Sequence, residues 1–321
     1  MKVMTAKVVF PETRGRKLIV LHQVNEVRVT STFKEMTGLA DITLPRKVRF
    51  FDKQNVKDVF RPGDPVIISL GYDGALKQEF SGYVASVSAD IPILIRCQDE
   101  MWKVKRLPVN FSAGSTTLEK LLQAICPGYA VDALEGVPLG GVRFARTTVG
   151  QVLEKLRQDF GLFSYMDGKK LVCGKYYSRQ ASSPSLIFNL ERNVAANGLT
   201  YRSKEDIIVK IKAVSMMRNG RKIEAEIGEE GGDRLDLTYY NIEVKAELER
   251  MVKADYEKRK QDGFDGTITG FGTPGAFHGW KAKLTSLIYP DRNGTYYIEG
   301  VEKIFGERGF RQEIKLGDKA V

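Results

Sequence analysis

The chain is poor in the residues from which catalytic and metal centres are usually built. Its 321 residues include two histidines, His22 and His278, and three cysteines, Cys97, Cys126 and Cys173. Thiols that are odd in number and widely spaced argue against a disulfide framework or a thiolate metal cluster, and read as small buried apolar side chains. Neither histidine has an acidic constellation beside it, so no metal site or catalytic triad is expected. No run reaches the roughly 18 apolar residues of a membrane span. Met1-Lys2-Val3-Met4 does not lead into the apolar core of a secretory signal, so the chain is expected to start in the cytoplasm. P-loop, H-E-x-x-H and G-x-S-x-G motifs are missing as well. Gly270-Phe271-Gly272-Thr273-Pro274-Gly275 matches G-x-G-x-x-G, but Pro274 and Gly279 block the helix that a dinucleotide site requires. A turning loop, or a contact with a neighbouring subunit, is expected there instead. Composition alone leaves open a carboxylate pair of the glycosidase kind, although no long unassigned region is left to hold a hydrolase domain.

What the chain does carry is positive charge, +10 in total, thinly spread. Residues 1–106 hold 18 Lys and Arg against 12 Asp and Glu, residues 107–199 hold 10 against 7, and residues 200–321 hold 22 against 21. Acids are interspersed nearly throughout, which describes a solvated surface rather than a nucleic-acid arm.

Alternation dominates the first hundred residues. Lys17–Leu21, Val24–Phe33 and Leu39–Leu44 read as strands, and Arg46–Val59 as an insertion or short helix. Phe60 to Asp99 then reads as an antiparallel meander. Val66, Ile68 and Leu70 point inward, Asp73-Gly74 supplies the turn, Phe80 and Val84 return around Gly82, and Ile91–Cys97 closes it. About six strands suffice for a small closed barrel or sandwich. Asp99–Arg106 reads as one or two helical turns, and Pro108–Ser115 as a polar linker. Thr116 with Glu119, and Thr148 with Gln151, have capping-box spacing ahead of amphipathic helices. Tyr129–Ala133 and Val142–Ala145 are expected short strands, and Phe163–Cys173 a hairpin turning at Asp167-Gly168. A compact α+β module thus separates two β-rich regions.

After the linker-like Tyr177–Ser185, strands are expected at Leu186–Leu190, Ile207–Val214, Lys222–Ile227 and Leu235–Tyr240. A long helix follows with Ile242, Leu248, Met251, Val252 and Tyr256 on its apolar side and Gly263 at its end. Phe264–Phe271, Lys281–Ile288, Thr295–Phe305 and Gly309–Leu316 complete the β pattern. The far end echoes the first meander: strand, Asp- and Gly-rich turn, then a strand carrying Tyr297, Gly300 and Val301, and a further strand.

In the order of these features the chain resembles the hub proteins of contractile phage tails and related injection machines, among them the late-control D proteins and the N-terminal part of VgrG spikes. The resemblance rests on Phe60-Arg61-Pro62-Gly63-Asp64 with Gly82-Tyr83-Val84, on the central capped helix with Tyr165-Met166-Asp167-Gly168, and on Gly294-Thr295-Tyr296-Tyr297-Ile298 through Gly309-Phe310-Arg311-Gln312. It spans nearly the whole chain. It implies a mainly β fold in which two tube-like β-barrel domains, residues 1–106 and 181–321, flank an α+β module at 107–180. It further implies a homotrimer whose six barrels adapt a hexameric tail tube to a trimeric central spike. Other baseplate proteins would be partners, and DNA or an effector would pass through the lumen. The protein would assemble in the bacterial cytoplasm and end in a virion tail or injection particle. No catalytic, cofactor-binding or metal residue is expected. The alternative is an OB-type nucleic-acid-binding protein using a basic N-terminal barrel.

Overall fold

The computed structural model describes residues 2–13, 15–45, 59–89, 91–175, 184–217 and 219–320. The expected insertion at 46–58 and linker residues 177–183 lie outside the described residues. Alternation becomes strands in the first region: β1 (Met4–Phe10), β2 (Ile19–Leu21), β3 (Glu26–Thr32), β4 (Leu39–Thr43), β5 (Pro65–Tyr72), β6 (Ala75–Val87) and β7 (Leu94–Gln98). Val66, Ile68 and Leu70 are fully buried, as their period of two requires. Asp73 and Gly74 turn the β5–β6 hairpin with φ of 52° and 81°, the paired positive values of a type I′ turn. At Gly82 the backbone of β7 passes so close that an added Cβ would lie 2.1 Å from the Gln98 carbonyl oxygen. Asp64, in the turn before β5, is buried beside Arg16 at 3.5 Å.

The middle of the chain is the expected α+β piece, with two corrections. It contains α1 (Met101–Val104), β8 (Pro108–Thr117), α2 (Leu118–Ile125), β9 (Ala130–Ala133), β10 (Pro138–Thr148), α3 (Val149–Phe160), β11 (Phe163–Asp167) and β12 (Lys170–Gly174). The stretch expected as a polar linker is β8, which pairs antiparallel with β10. Its polar residues reflect a two-stranded ribbon wet on one face. For the same reason β10 runs well beyond Val142–Ala145 at both ends. The second correction is at α2, where Thr117, the last residue of β8, rather than Thr116 accepts the Lys120 backbone N–H at 3.4 Å. At α3 the box forms as expected: Thr148 Oγ1 accepts from Gln151 N at 3.4 Å and Gln151 Oε1 from Thr148 N at 3.0 Å. Leu118, Leu121, Leu122, Val149, Val152, Leu153 and Leu156 meet in a core of their own.

The last third holds β13 (Ser185–Asn189), β14 (Val194–Arg202), β15 (Val209–Met216), β16 (Lys222–Gly228), β17 (Asp233–Tyr240), α4 (Lys245–Arg259), β18 (Gly263–Phe271), β19 (Lys281–Thr285), β20 (Gly294–Gly306) and β21 (Gly309–Lys319). Strand β14 gave no signal in the sequence because nearly all of it is exposed, leaving no alternation to read. Helix α4 is shorter than its pattern: Ile242 precedes it, Met251 faces outward, and Gly263 opens β18. Leu248 and Val252 are its buried residues. They pack on a separate three-stranded sheet, ordered β16-β15-β17, with β15 and β17 parallel.

The remaining strands form one 13-stranded sheet. Within it the order β1-β5-β6-β7-β4-β3 is repeated as β13-β19-β20-β21-β18-β14, with these six in the same sequential order; β2, paired with β1, has no counterpart among the described residues. The small sheet with α4 interrupts the β14–β18 connection, which corresponds to the direct β3–β4 hairpin. One pairing differs: β1 runs antiparallel to β5, whereas β13 runs parallel to β19. The echo noticed in the sequence is therefore a repeated topology. Both copies of the long middle strand, β6 and β20, have 13 residues and an irregularity in register.

The two repeats are joined by β20, which pairs with β3 over Gly300–Phe305. One end of the β20–β21 hairpin places Phe305 and Phe310 in the first core, among Phe10, Val66, Ile68 and Leu70. The other end places Tyr296, Ile298, Ile314 and Leu316 in the second, with Phe188, Ile268 and Leu284. Tyr72 at the end of β5 donates its hydroxyl to the Phe310 carbonyl at 2.6 Å. Phe310→Ala should destabilise the fold by about 3–5 kcal/mol. Hydrogen exchange should show protection falling in β1 and β5 as well as in β21, with β11–β12 little affected; loss confined to β21 would contradict a shared hairpin.

Candidate functional site

Two places in this fold have the chemistry or geometry to act: an open sheet edge and a cleft. The edge is β14, which pairs with β18 on one side and, among the described residues, with nothing on the other. Its equivalent in the first repeat, β3, has that side covered by β20. Ala195–Gly198 and Thr200–Arg202 are exposed, and the strand has no proline and one charge, Arg202, held by Asp265 at 2.6 Å. Edges that must stay single are normally short, charged or interrupted by proline. Asn197, Leu199 and Tyr201 of β14 share a hollow with Asp291 and Arg292. Close to those two in sequence, Leu287 and Ile288 are exposed at 72% and 66%.

The cleft, of about 520 Å³, opens between β3, β6, the β11–β12 turn and the loop at 275–280. The loop continues from the glycine-rich motif and is fixed by Gln312, a fully buried residue of β21. Its side-chain oxygen accepts from Ala276 N at 2.8 Å, and its amide nitrogen donates to Phe271 O at 2.9 Å and Pro274 O at 2.7 Å. Gly272 lies on the Phe310 ring, which an added Cβ would meet at 2.2 Å. The motif is a loop packed on Phe310 and bonded to Gln312. It carries His278 to the cleft floor, where the ring centroid lies 4.1 Å from Phe277, 4.5 Å from Tyr165 and 4.8 Å from Phe33. Neither ring nitrogen has a hydrogen-bond partner. Burial pushes His278 down to about 3, so the imidazole is neutral. In the same cleft Glu79 of β6 and Lys303 of β20 form a buried ion pair, and Glu79 Oε1 is left without a partner.

Where β7 meets the α+β piece, a polar joint sets the orientation of the two. Asp99 accepts Gly38 N at 2.8 Å and Met101 N at 3.0 Å. Glu100 accepts the hydroxyls of Tyr83 at 2.8 Å and Tyr129 at 2.9 Å. Burial, and then the bond to Glu100, pushes both phenols up to about 12. Asp99 is itself pushed up to about 6 by burial, against which its two backbone donors and Lys105 act only in part.

Neither a protein-family profile nor a curated protein matches the sequence. Solved structures do match. A tail protein from Neisseria meningitidis MC58 superposes with a TM-score of 0.62 at 15% identity, covering 99% of this chain and 97% of that one. The 43 kDa tail protein of prophage MuSo2 from Shewanella oneidensis gives 0.60 at 17% identity, covering 97% and 98%. The E. coli c3393 protein, a type VI secretion component described as similar to the T4 phage tail proteins gp27 and gp5, gives 0.57 at 10% identity, covering 93% and 74%. The chain has the fold of phage tail proteins. At these identities the likeness is one of fold.

Within that tail-protein fold the structure puts several sequence features together and keeps others apart. His278 and the G-x-G-x-x-G loop share the cleft, whereas His22 lies exposed in the first region. All three cysteines are buried and free. No group of three or more His, Cys, Asp or Glu able to hold a metal occurs among the described residues. Reading the sequence missed the joint at Asp99 and Glu100 and the cleft, since their members come from elements distant in the chain. Asp99 sets a pH test. Its folded pKa lies above the ordinary value of about 3.9, so its contribution is fully present below about pH 4 and is lost as pH rises through about 6. Relative to Asp99→Asn, the wild type should lose on the order of 2 kcal/mol between pH 4 and pH 7, as followed by urea unfolding; an unchanged difference would refute the assignment.

Proposed function

We propose that this protein is a structural hub of a phage-like tail or contractile injection system, a homotrimer whose six β units present pseudo-sixfold symmetry. A hexameric tail tube would sit on one face and a trimeric central spike on the other, with other baseplate proteins around it and DNA or an effector passing through the lumen. The repeated strand order within one chain carries this reading. Residues 1–106 and 181–321 each supply one tube-like unit, and 107–180 the module between them. The units are already joined head to tail by β3 and β20, and a heterologous contact of this kind closes into a ring when copies continue it. The open edge of β14 is where continuation would occur. Its counterpart on the next chain would be β6, the equivalent of β20, beyond the part of β6 that β5 covers. The fold of the tail-protein neighbours supports the same reading, with assembly in the bacterial cytoplasm and final residence in the tail. Such a role uses no catalytic side chain, cofactor or metal. Nothing in the surface favours the OB-type nucleic-acid alternative, because the basic excess is diffuse.

Native mass spectrometry of the protein, alone and co-expressed with its neighbouring tail genes, should show a trimer. Ala195→Lys with Ala196→Lys should leave the fold intact by circular dichroism yet convert the trimer to monomer, since like charges along a pairing edge oppose strand addition. A wild type that stays monomeric in both settings, and binds oligonucleotide with steep salt dependence, would overturn the hub reading.

A further inference from the structure

The cleft beneath the 275–280 loop contains a chemical demand that the protein itself does not meet. Two residues of its lining carry buried polar groups without partners: Glu79 Oε1, on a side chain only 3% exposed, and His278, both of whose nitrogens are unbonded. A buried polar atom left unpaired costs roughly 1–3 kcal/mol, so two such residues in the lining of one cleft point to an occupant. The available chemistry is acceptor-rich. The carboxylate oxygen can only accept, and a neutral imidazole offers one acceptor nitrogen and one N–H donor, the latter for a carbonyl such as a peptide backbone brings. Around them stand four carboxylates, Glu35, Glu79, Asp99 and Asp167, against two amines, Lys77 and Lys303. The walls near His278 are aromatic, from Phe33, Tyr165, Phe277 and Trp280. A planar cation with several N–H donors fits this combination, because it can donate to separate acceptors and lie against ring faces. An anion would face the carboxylates, and an apolar group would leave both acceptors unpaired.

We propose that this cleft receives the guanidinium of an arginine carried on an extended segment of a partner protein. A protein segment fits better than a free cation because the volume is that of a site for a drug-sized molecule, more than one side chain fills. The loop that carries His278 is anchored at Phe271, Pro274 and Ala276 by the Gln312 hydrogen bonds, so this wall is preformed and little ordering of it opposes binding. The inference does not depend on the trimeric hub, since every residue it uses comes from one chain.

The two histidines make the test direct. In full-length protein labelled with 15N-histidine, titration with N-acetyl-L-arginine amide should shift the His278 resonances saturably while those of His22 stay fixed. The pentapeptide acetyl-Ala-Ala-Arg-Ala-Ala-amide should do the same at severalfold lower concentration. Tetramethylammonium, which cannot donate hydrogen bonds, should not. Glu35→Lys, an exposed change that leaves the fold intact, should weaken the peptide severalfold. Glu79→Met with Lys303→Met, which removes the buried pair together and so avoids an unpaired charge, should abolish the shift. A His278 signal indifferent to both arginine probes, or one that moves equally with tetramethylammonium, would overturn the proposal. Equal affinity for the amide and the pentapeptide would overturn the assignment to a protein segment.

Discussion

The arrangement depends on one hairpin serving two cores. Strand β20 is long enough for its first residues to pair with β19 and its last with β3, with β21 alongside throughout. Side chains from opposite ends of the hairpin are buried in different hydrophobic clusters. Neither core is complete without it. The C-terminal segment must therefore dock on residues nearly three hundred positions earlier before the N-terminal strands are fully buried. Pairings of such high sequence separation fold slowly, because loop-closure entropy is lost before the contacts form.

That joint also accounts for the contrast between β3 and β14. In the first repeat β3 meets β20 and is covered on both sides, so it reads as a normal half-buried strand. In the second, β14 has the same place in the order but an open side, and its residues are mostly exposed and nearly uncharged. Selection for burial within one chain would produce apolar alternation. An edge that adds a strand from another chain, as the proposed trimer requires of β14, needs backbone to pair with and little else.

The cleft and the polar joint are consequences of the same assembly. Glu79 comes from β6, Lys303 from β20, His278 from the loop that Gln312 pins to β21, and Tyr165 from the α+β piece. Their meeting depends on the sheet rolling until β6 lies across from β20. Desolvation in that enclosed space, rather than any strong neighbouring charge, is what holds His278 neutral. The same cause, opposed by hydrogen bonds, raises Asp99.

By itself the sequence determined the elements whose reasons are local. Val66, Ile68 and Leu70 mark a strand by period, Asp73-Gly74 a turn by its positive φ, and Thr148 with Gln151 a helix start by the bonds their spacing allows. The repeated meander was legible because both copies keep the same local order. Tertiary structure alone decided that β8 is a strand and that β14 exists, since in each case a partner strand overrides or replaces the local pattern. It also decided that the two β regions share one sheet and that Glu79, Lys303 and His278 converge. Those contacts join residues some two hundred positions apart, and no periodicity in a chain encodes which distant segment will close on it.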